Sequence, residues 1–364
     1  LTMGTFGAVS IVIALIIVTA IAVCVWLQRD TNAQYDLPLG KVFFAGTDSK
    51  TRVVNAMALK GIYKQIRITD KPSASQPLKG RIDRVRSLMD TIRSHVPLAS
   101  KCSPTDADGV PAEWVMAPDA DPNRRLLYIH GGGFVAGSPT SHRVITSKLS
   151  EITNCAVLAI DYRLSPEHKR EACIEDCRTA YDWVLVNGPQ GSSTATAIYV
   201  AGDSAGGNLT LSLLAWARDT QRRAANAALA LSPVTDMRMV NPSIKANLNT
   251  DIMLKPMAKK LAKIPRWLML SAGAFIAPYN TKDPEISPLL GKLHDLPPTL
   301  IQASDAEILL DDGRRYANKA QAAGSMTSLQ IWSGMPHVWQ MFHPELCAAQ
   351  EAFDEIQTFI ARYP

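Results

Sequence analysis

The sequence predicts an α/β fold, a mostly parallel sheet with helices on both faces. Three observations lead there. From about Arg125 onward, short apolar runs alternate with longer stretches of helical spacing, the pattern of βαβ units. The short runs are apolar throughout, as strands buried on both faces must be. At Tyr199–Ala217, YVAGDSAGGNLTLSLLAWA, an apolar strand passes into an apolar helix through a turn of small residues around a serine.

Taken in order, the first 28 residues contain no Lys, Arg, Asp or Glu, and Ala8–Leu27 is interrupted only by Ser10 and Thr19. As a helix this run spans about 30 Å, the thickness of a bilayer core. Residues 1–30 are therefore expected to form a single-pass N-terminal membrane anchor, with Trp26 at an interfacial position. The alternative, a cleaved secretory signal, has a shorter apolar region and a cationic start. Residues 31–100 form a polar connector and then N-terminal cap helices. The clearest is Arg81–His95, where Ile82, Val85, Leu88, Met89 and Ile92 recur at helical spacing; its arginine-rich opposite face is expected to be solvated.

Residues 101–364 carry the main domain. Strands are expected at 125–129, 156–160, 198–202, 228–232, 299–303 and 328–332. Helices are expected at about 141–153, 170–186, 206–219, 312–323 and 345–361. The stretch from about 237 to 290 breaks the alternation with scattered Pro, Asn and Lys. It is expected to be an insertion lying over the sheet as a cap, and its apolar patch at 266–279 is too short to span a membrane.

Composition removes several function classes. A chain of 364 residues, 47% hydrophobic and 20% charged, can bury a sizeable core. The net charge of +5 is spread without a basic block, so no nucleic-acid partner is expected. Six cysteines form no C-x-x-C and no cluster with metal-ligand spacing, so no metal site is expected.

Four stretches at expected strand ends carry chemistry. Gly202-Asp203-Ser204-Ala205-Gly206 fits G-x-S-x-G, a turn that exposes a serine hydroxyl at the start of a helix. HGGGF follows the 125–129 strand. Successive glycines turn backbone N–H groups into a cavity, where a tetrahedral intermediate needs donors. No Lys-Ser/Thr pair follows as a phosphate loop requires. Gly132 and Gly133 are the expected oxyanion donors, with the amide of Ala205 as the third. In GMPHVWQMF, His337 follows the last strand and is the candidate base; His343 and His294 are its competitors. After strand TLIQA come Asp305, Glu307, Asp311 and Asp312. An acid that must reach the imidazole from a strand end is one of the first two, whereas Asp311 and Asp312 suit a helix first turn. The N-L-T sequon at Asn208 falls within the buried helix and is discounted as a glycosylation site.

HGGGF, DYRLSPEH (161–168), GDSAGGN, DPEISPLL and the acid-bearing stretch from Leu296, in this order, resemble the hormone-sensitive-lipase-like esterases of the α/β-hydrolase superfamily over about residues 80–364. The resemblance implies an eight-stranded sheet, a cap built from the N-terminus plus an insertion, and cofactor-free hydrolysis of small-molecule carboxylic esters by a serine nucleophile. It also implies that the acid is Glu307, with Asp305 as the alternative, although relatives usually place Asp there. Asp161, Tyr162 and Arg163 are expected to brace the site, as is Asp203. The REACIED segment (170–176), where relatives usually show a proline-alanine pair, is expected to alter local packing only. With the N-terminal span, HGGGF and GDSAGGN also resemble the arylacetamide deacetylases, anchored relatives that cleave esters and some amides. Ligand-binding receptors of the same fold lack the histidine that stands here at position 337, which disfavours a non-catalytic small-ligand-binding role.

Overall fold

The computed structural model describes residues 30–37, 40–46, 49–69, 77–262 and 280–364, with isolated positions 15, 18 and 19. The apolar run of the expected anchor, those isolated positions aside, and the patch at 266–279 lie outside the described residues. Among the described residues no helix is long and apolar enough to cross a membrane.

Strands form where the apolar runs stand. In chain order they are β1 (Lys41–Phe43), β2 (Lys101–Asp106), β3 (Pro111–Met116), β4 (Asp121–Ile129), β5 (Cys155–Ile160), a small hairpin of β6 (Asn187–Gly188) and β7 (Gly191–Ser192), β8 (Ala197–Asp203), β9 (Ala227–Leu231), β10 (Thr299–Ser304) and β11 (Thr327–Trp332). Among the described residues the main sheet has nine strands, ordered β1-β11-β10-β9-β8-β4-β5-β3-β2. Pairing is antiparallel at β2–β3 and β3–β5 and parallel elsewhere.

Nine strands replace the eight expected. The addition is β1, from a connector that its composition presents as a polar loop. An unpaired strand edge offers a row of backbone donors and acceptors. β1 takes up that of β11, and Phe43 stacks on Trp332 with ring centroids 4.9 Å apart.

Burial on both faces follows from strict alternation along each strand. Leu127, Ile129, Leu158, Ile160, Ile198 and Val200 face one layer. That layer contains helices α4 (Arg170–Val186), α5 (Ser204–Asp219) and α8 (Leu310–Ala322). Leu126, Tyr128, Val157, Ala159, Tyr199 and Ala201 face the other, made by α3 (Arg143–Thr153) and α9 (Cys347–Ile360). The chain leaves β4 toward β5 in one direction, then returns to β8 and continues through β9 to β11 in the other. The strand order thus reverses at β4 and β8, and the crevice beyond their carboxyl ends is where such sheets place a site.

Two N-terminal helices, α1 (Ser49–Thr69) and α2 (Leu78–Ile92), reach the loops after β11 and β4 through Tyr63 and Arg86. The arginines at 86 and 93 are not simply solvated. Arg86 donates to the carbonyls of Val135 (2.8 Å) and Ser165 (3.1 Å) and to both carboxylate oxygens of Glu167. Arg93, at the end of α2, donates to His343 O at 2.9 Å and to Glu345. Of the insertion, the structure describes α6 (Ser243–Ala246), α7 (Lys255–Ala262) and a short turn at Pro288–Leu290.

The connector is fastened to α8 through Arg315 above all; Arg314 also lies 3.4 Å from Asp36 and Asn318 Nδ2 donates to Tyr35 O at 2.8 Å. Arg315 on α8 is fully buried. It donates to Asp36 (2.6 and 3.0 Å), to Asp30 (3.0 and 2.8 Å) and to Asn241 Oδ1 (2.8 Å). A planar fork suits such multiple pairing in a way an ammonium does not. Removing one partner of a buried ion pair typically costs about 3–5 kcal/mol. Asp30 and Asp36 remain part-exposed and can rehydrate, so Arg315→Ala is expected to lower unfolding free energy by about 3 kcal/mol, with Arg315→Lys only partly restoring it. Urea unfolding of the three proteins checks this; a loss under about 1 kcal/mol, the scale of an exposed pair, counts against it.

Candidate active site

β8 ends and α5 begins at the Asp203–Ser204 junction. The turn is tight because the helix must pass under the end of β4. A Cβ on Gly206 would lie 1.9 Å from Ile129 O, and one on Gly202 would lie 2.5 Å from Gly206 O. Glycine at both positions is a condition of that approach. The turn also forces Ser204 to a left-handed φ of 51°, a conformation that costs an L-residue energy and recurs at functional sites.

Ser204 Oγ lies 2.9 Å from His337 Nε2, and His337 Nδ1 lies 2.7 Å from Glu307 Oε2. A carboxylate accepts only, so Nδ1 carries the proton and Nε2 is left to accept from the serine hydroxyl. Each member comes from a different strand end: Ser204 after β8, Glu307 after β10, His337 after β11. Burial alone would make His337 less basic, but the hydrogen bond and charge of Glu307 outweigh it and hold the imidazole above its ordinary pKa of 6.5. Burial pushes the Glu307 carboxyl up, opposed by the hydrogen bonds from His337 and Ser232.

The other candidates stand elsewhere. Asp305 accepts from Ser333 Oγ (2.9 Å) and Gly334 N (2.7 Å), so it holds the backbone of the histidine loop, not the ring. His343 Nε2 is 2.9 Å from Gln350 Oε1, and the His343 ring packs edge-on against Phe353. His294 pairs with Asp295 at an exposed position. Asp311 and Asp312 lie in the first turn of α8, as expected, but they also act at a distance. Asp311 accepts from Ser243 N, and Asp312 accepts from Thr235 N, Asp236 N and Asn241 Nδ2. Burial drives the Asp312 carboxyl up to about 7.

Beside the serine turn, tied to it through Asp203, is the glycine loop after β4. Gly132 has φ 116° and Gly133 has φ 63°. A Cβ on Gly132 would meet Ala136 O at 2.0 Å. Among the described residues nothing accepts a hydrogen bond from the amides of Gly132, Gly133 or Ala205. The base of the loop is fixed. Asp203 Oδ1 accepts from Gly131 N (2.9 Å) and the Tyr128 hydroxyl (2.7 Å), and His142 Nε2 stands 3.4 Å from Oδ2. The Tyr162 hydroxyl donates to His130 O at 2.8 Å and its ring stacks on His130. Burial and the neighbouring His142 drive His130 down to about 3, so it is neutral and donates Nδ1–H to Gly131 O at 2.7 Å. Arg163, beside Tyr162, pairs with Asp176 of α4. Arg170 of the REACIED segment lies 3.5 Å from the centroid of the Phe134 ring and donates to Asn208 Oδ1 at 2.6 Å. Asn208 is itself fully buried and donates to Val234 O and Ile286 O, which agrees with discounting the sequon. Among the described residues no group of three or more His, Cys, Asp or Glu is placed to hold a metal ion.

Four residues at the site were not singled out from the sequence. Ser232, just past β9, contacts Glu307 directly. From the insertion, Asn247 Nδ2 donates to the carbonyls of Asp305 (2.8 Å) and Glu307 (2.7 Å), Thr250 donates to Ala306 O, and Asp251 accepts from Ile308 N. This segment therefore grips the backbone of the loop after β10. No local pattern marks these four; their roles arise only when distant segments meet.

Comparison with known proteins identifies the family. A family model described as the alpha/beta hydrolase fold matches residues 126–341. An acetyl-hydrolase of Streptomyces hygroscopicus is 36% identical over 250 residues, covering 68% of this chain and 79% of its own. The crystal structure of an esterase from the bacterial hormone-sensitive lipase family superposes with a TM-score of 0.74 at 34% identity, covering 84% of this chain and 98% of that one. A crystal structure of EstE5 soaked with p-nitrophenyl butyrate superposes with a TM-score of 0.72 at 32% identity over the same shares. The chain belongs to the hormone-sensitive-lipase-like family of α/β hydrolases and is a carboxylic ester hydrolase.

Proposed function

We propose that the chain is a serine carboxylesterase acting on short to medium acyl esters through an acyl-enzyme. The observation that carries this reading is the continuous relay of 2.9 and 2.7 Å from Ser204 Oγ through His337 to Glu307. Ser204 Oγ attacks the ester carbonyl as its proton passes to His337 Nε2. Glu307 keeps the tautomer and stabilises the imidazolium. The amides of Gly132, Gly133 and Ala205 receive the developing oxyanion, each worth on the order of 10²–10³ in turnover. His337 then gives its proton to the leaving alcohol, and water repeats the sequence on the acyl-enzyme. The acyl range is supported by the acetyl-hydrolase relative and by the EstE5 structure soaked with a butyrate ester.

We also propose that the run Ala8–Leu27 anchors the protein in a membrane; its support is the length and apolarity of the run itself. The full chain is expected to stay in the membrane pellet after alkaline carbonate extraction, and release into the supernatant would overturn the anchor.

Ser204→Ala is expected to abolish labelling by a fluorophosphonate probe and to lower kcat on p-nitrophenyl acetate by about 10⁴–10⁶. A series of p-nitrophenyl esters should peak at short or medium chains; a maximum at palmitate rejects the acyl range. Because His337 must be neutral to accept the serine proton, kcat/KM falls as pH drops through its pKa. Glu307 raises that pKa, so the midpoint of the acid limb should lie above 6.5. A midpoint at or below that value contradicts the assignment.

A further inference from the structure

Ser232 follows the last residue of β9 and is fully buried in a left-handed conformation, φ 48°. Its amide donates to Gln302 O of β10 at 2.7 Å, which fixes the residue against the strand that leads to the acid. Its hydroxyl makes two contacts. It donates to Glu307 Oε1 at 2.8 Å and accepts from Val338 N at 3.2 Å. Val338 is the residue after the histidine and is itself left-handed at φ 51°. One buried oxygen thus ties the carboxylate of the acid to the backbone of the base.

The acid in this chain is a glutamate, which has one more side-chain torsion than an aspartate. Its carboxylate has to be held at both oxygens for one of them to meet the imidazole reliably. Oε1 takes Ser232 Oγ–H and Ser304 N–H (2.9 Å); Oε2 takes His337 Nδ1–H. Asp251 also carries charge near this pair and binds Ile308 N, but it touches neither the carboxylate nor the ring by hydrogen bond.

We infer that Ser232 is a positioning residue for ester hydrolysis. Its hydroxyl holds Glu307 and the Val338 amide in one register, so that His337 keeps Nδ1 on the carboxylate and Nε2 on Ser204. The inference rests on the reading of Ser204, His337 and Glu307 as the triad.

The test uses the full chain and p-nitrophenyl acetate. Misplacing a catalytic group by about 1 Å can cost on the order of 100-fold. Ser232→Ala and Ser232→Gly should both lower kcat by about 10- to 100-fold with KM changed less than about threefold. Ser232→Gly removes the hydroxyl while suiting the left-handed backbone, so a loss shared by both variants belongs to the hydroxyl and not to a distorted turn. Ser232→Thr, which keeps the hydroxyl, should recover part of the loss. In a Glu307→Gln background, Ser232→Ala should change kcat by less than about twofold, because residues acting on one interaction are not additive. If Ser232→Gly keeps wild-type kcat, or if its loss multiplies in full with that of Glu307→Gln, the inference is wrong. If instead wild-type turnover survives Ser204→Ala, the triad reading itself fails, whatever Ser232 does.

Discussion

The site depends on how closely two neighbouring strand ends approach. β4 and β8 lie side by side where the strand order reverses, and they run directly into the glycine loop and the serine turn. The helix after β8 passes so near the end of β4 that a methyl group on Gly206 would sit 1.9 Å from Ile129 O. That contact sets the turn, the turn sets the left-handed backbone of Ser204, and the backbone points the hydroxyl into the crevice. Asp203 completes the junction from within. Its buried carboxylate takes the Gly131 amide and the Tyr128 hydroxyl, so the glycine loop and the serine turn are tied together. Burial works against that charge, but the nearby His142 and the Tyr128 hydroxyl outweigh it and hold the carboxyl below its usual range.

The division of labour between Asp305 and Glu307 is a matter of reach. Both follow β10, two positions apart. Asp305 faces outward and takes Ser333 and Gly334, shaping the loop that carries the histidine. Glu307 faces inward, fully buried, and its extra methylene spans the distance to the ring. The insertion reinforces this by satisfying the loop's carbonyls through Asn247 and Thr250. Asn247 and Thr250 thereby join their segment to the loop that bears Glu307.

The strands that build the parallel core were legible because they are apolar on both faces and bounded by turns. The serine turn and the glycine loop were legible because their chemistry is local. β2 and β3 were not, since KCSPTD holds an edge proline and PAEWVM pairs antiparallel near the margin, where alternation is weak. β1 was not, because three residues have no periodicity and exist as a strand only on the edge of β11. Which of Asp305 and Glu307 stands beside His337 was not legible, since spacing alone placed both on one loop. Arg86 was readable as an exposed helix position but not as a ligand of Val135 O, a contact across 49 residues of sequence.

β1 has a consequence for how the molecule behaves among its own copies. It occupies the outer side of β11, whose far side is paired to β10. Without β1, β11 would present a bare flank of amides and carbonyls, a template for the matching strand of a second molecule. The three-residue β1 covers Gln330–Trp332 of β11 and leaves a shorter open edge in its place, and Arg315, gripping Asp30 and Asp36 just upstream, helps to hold it there.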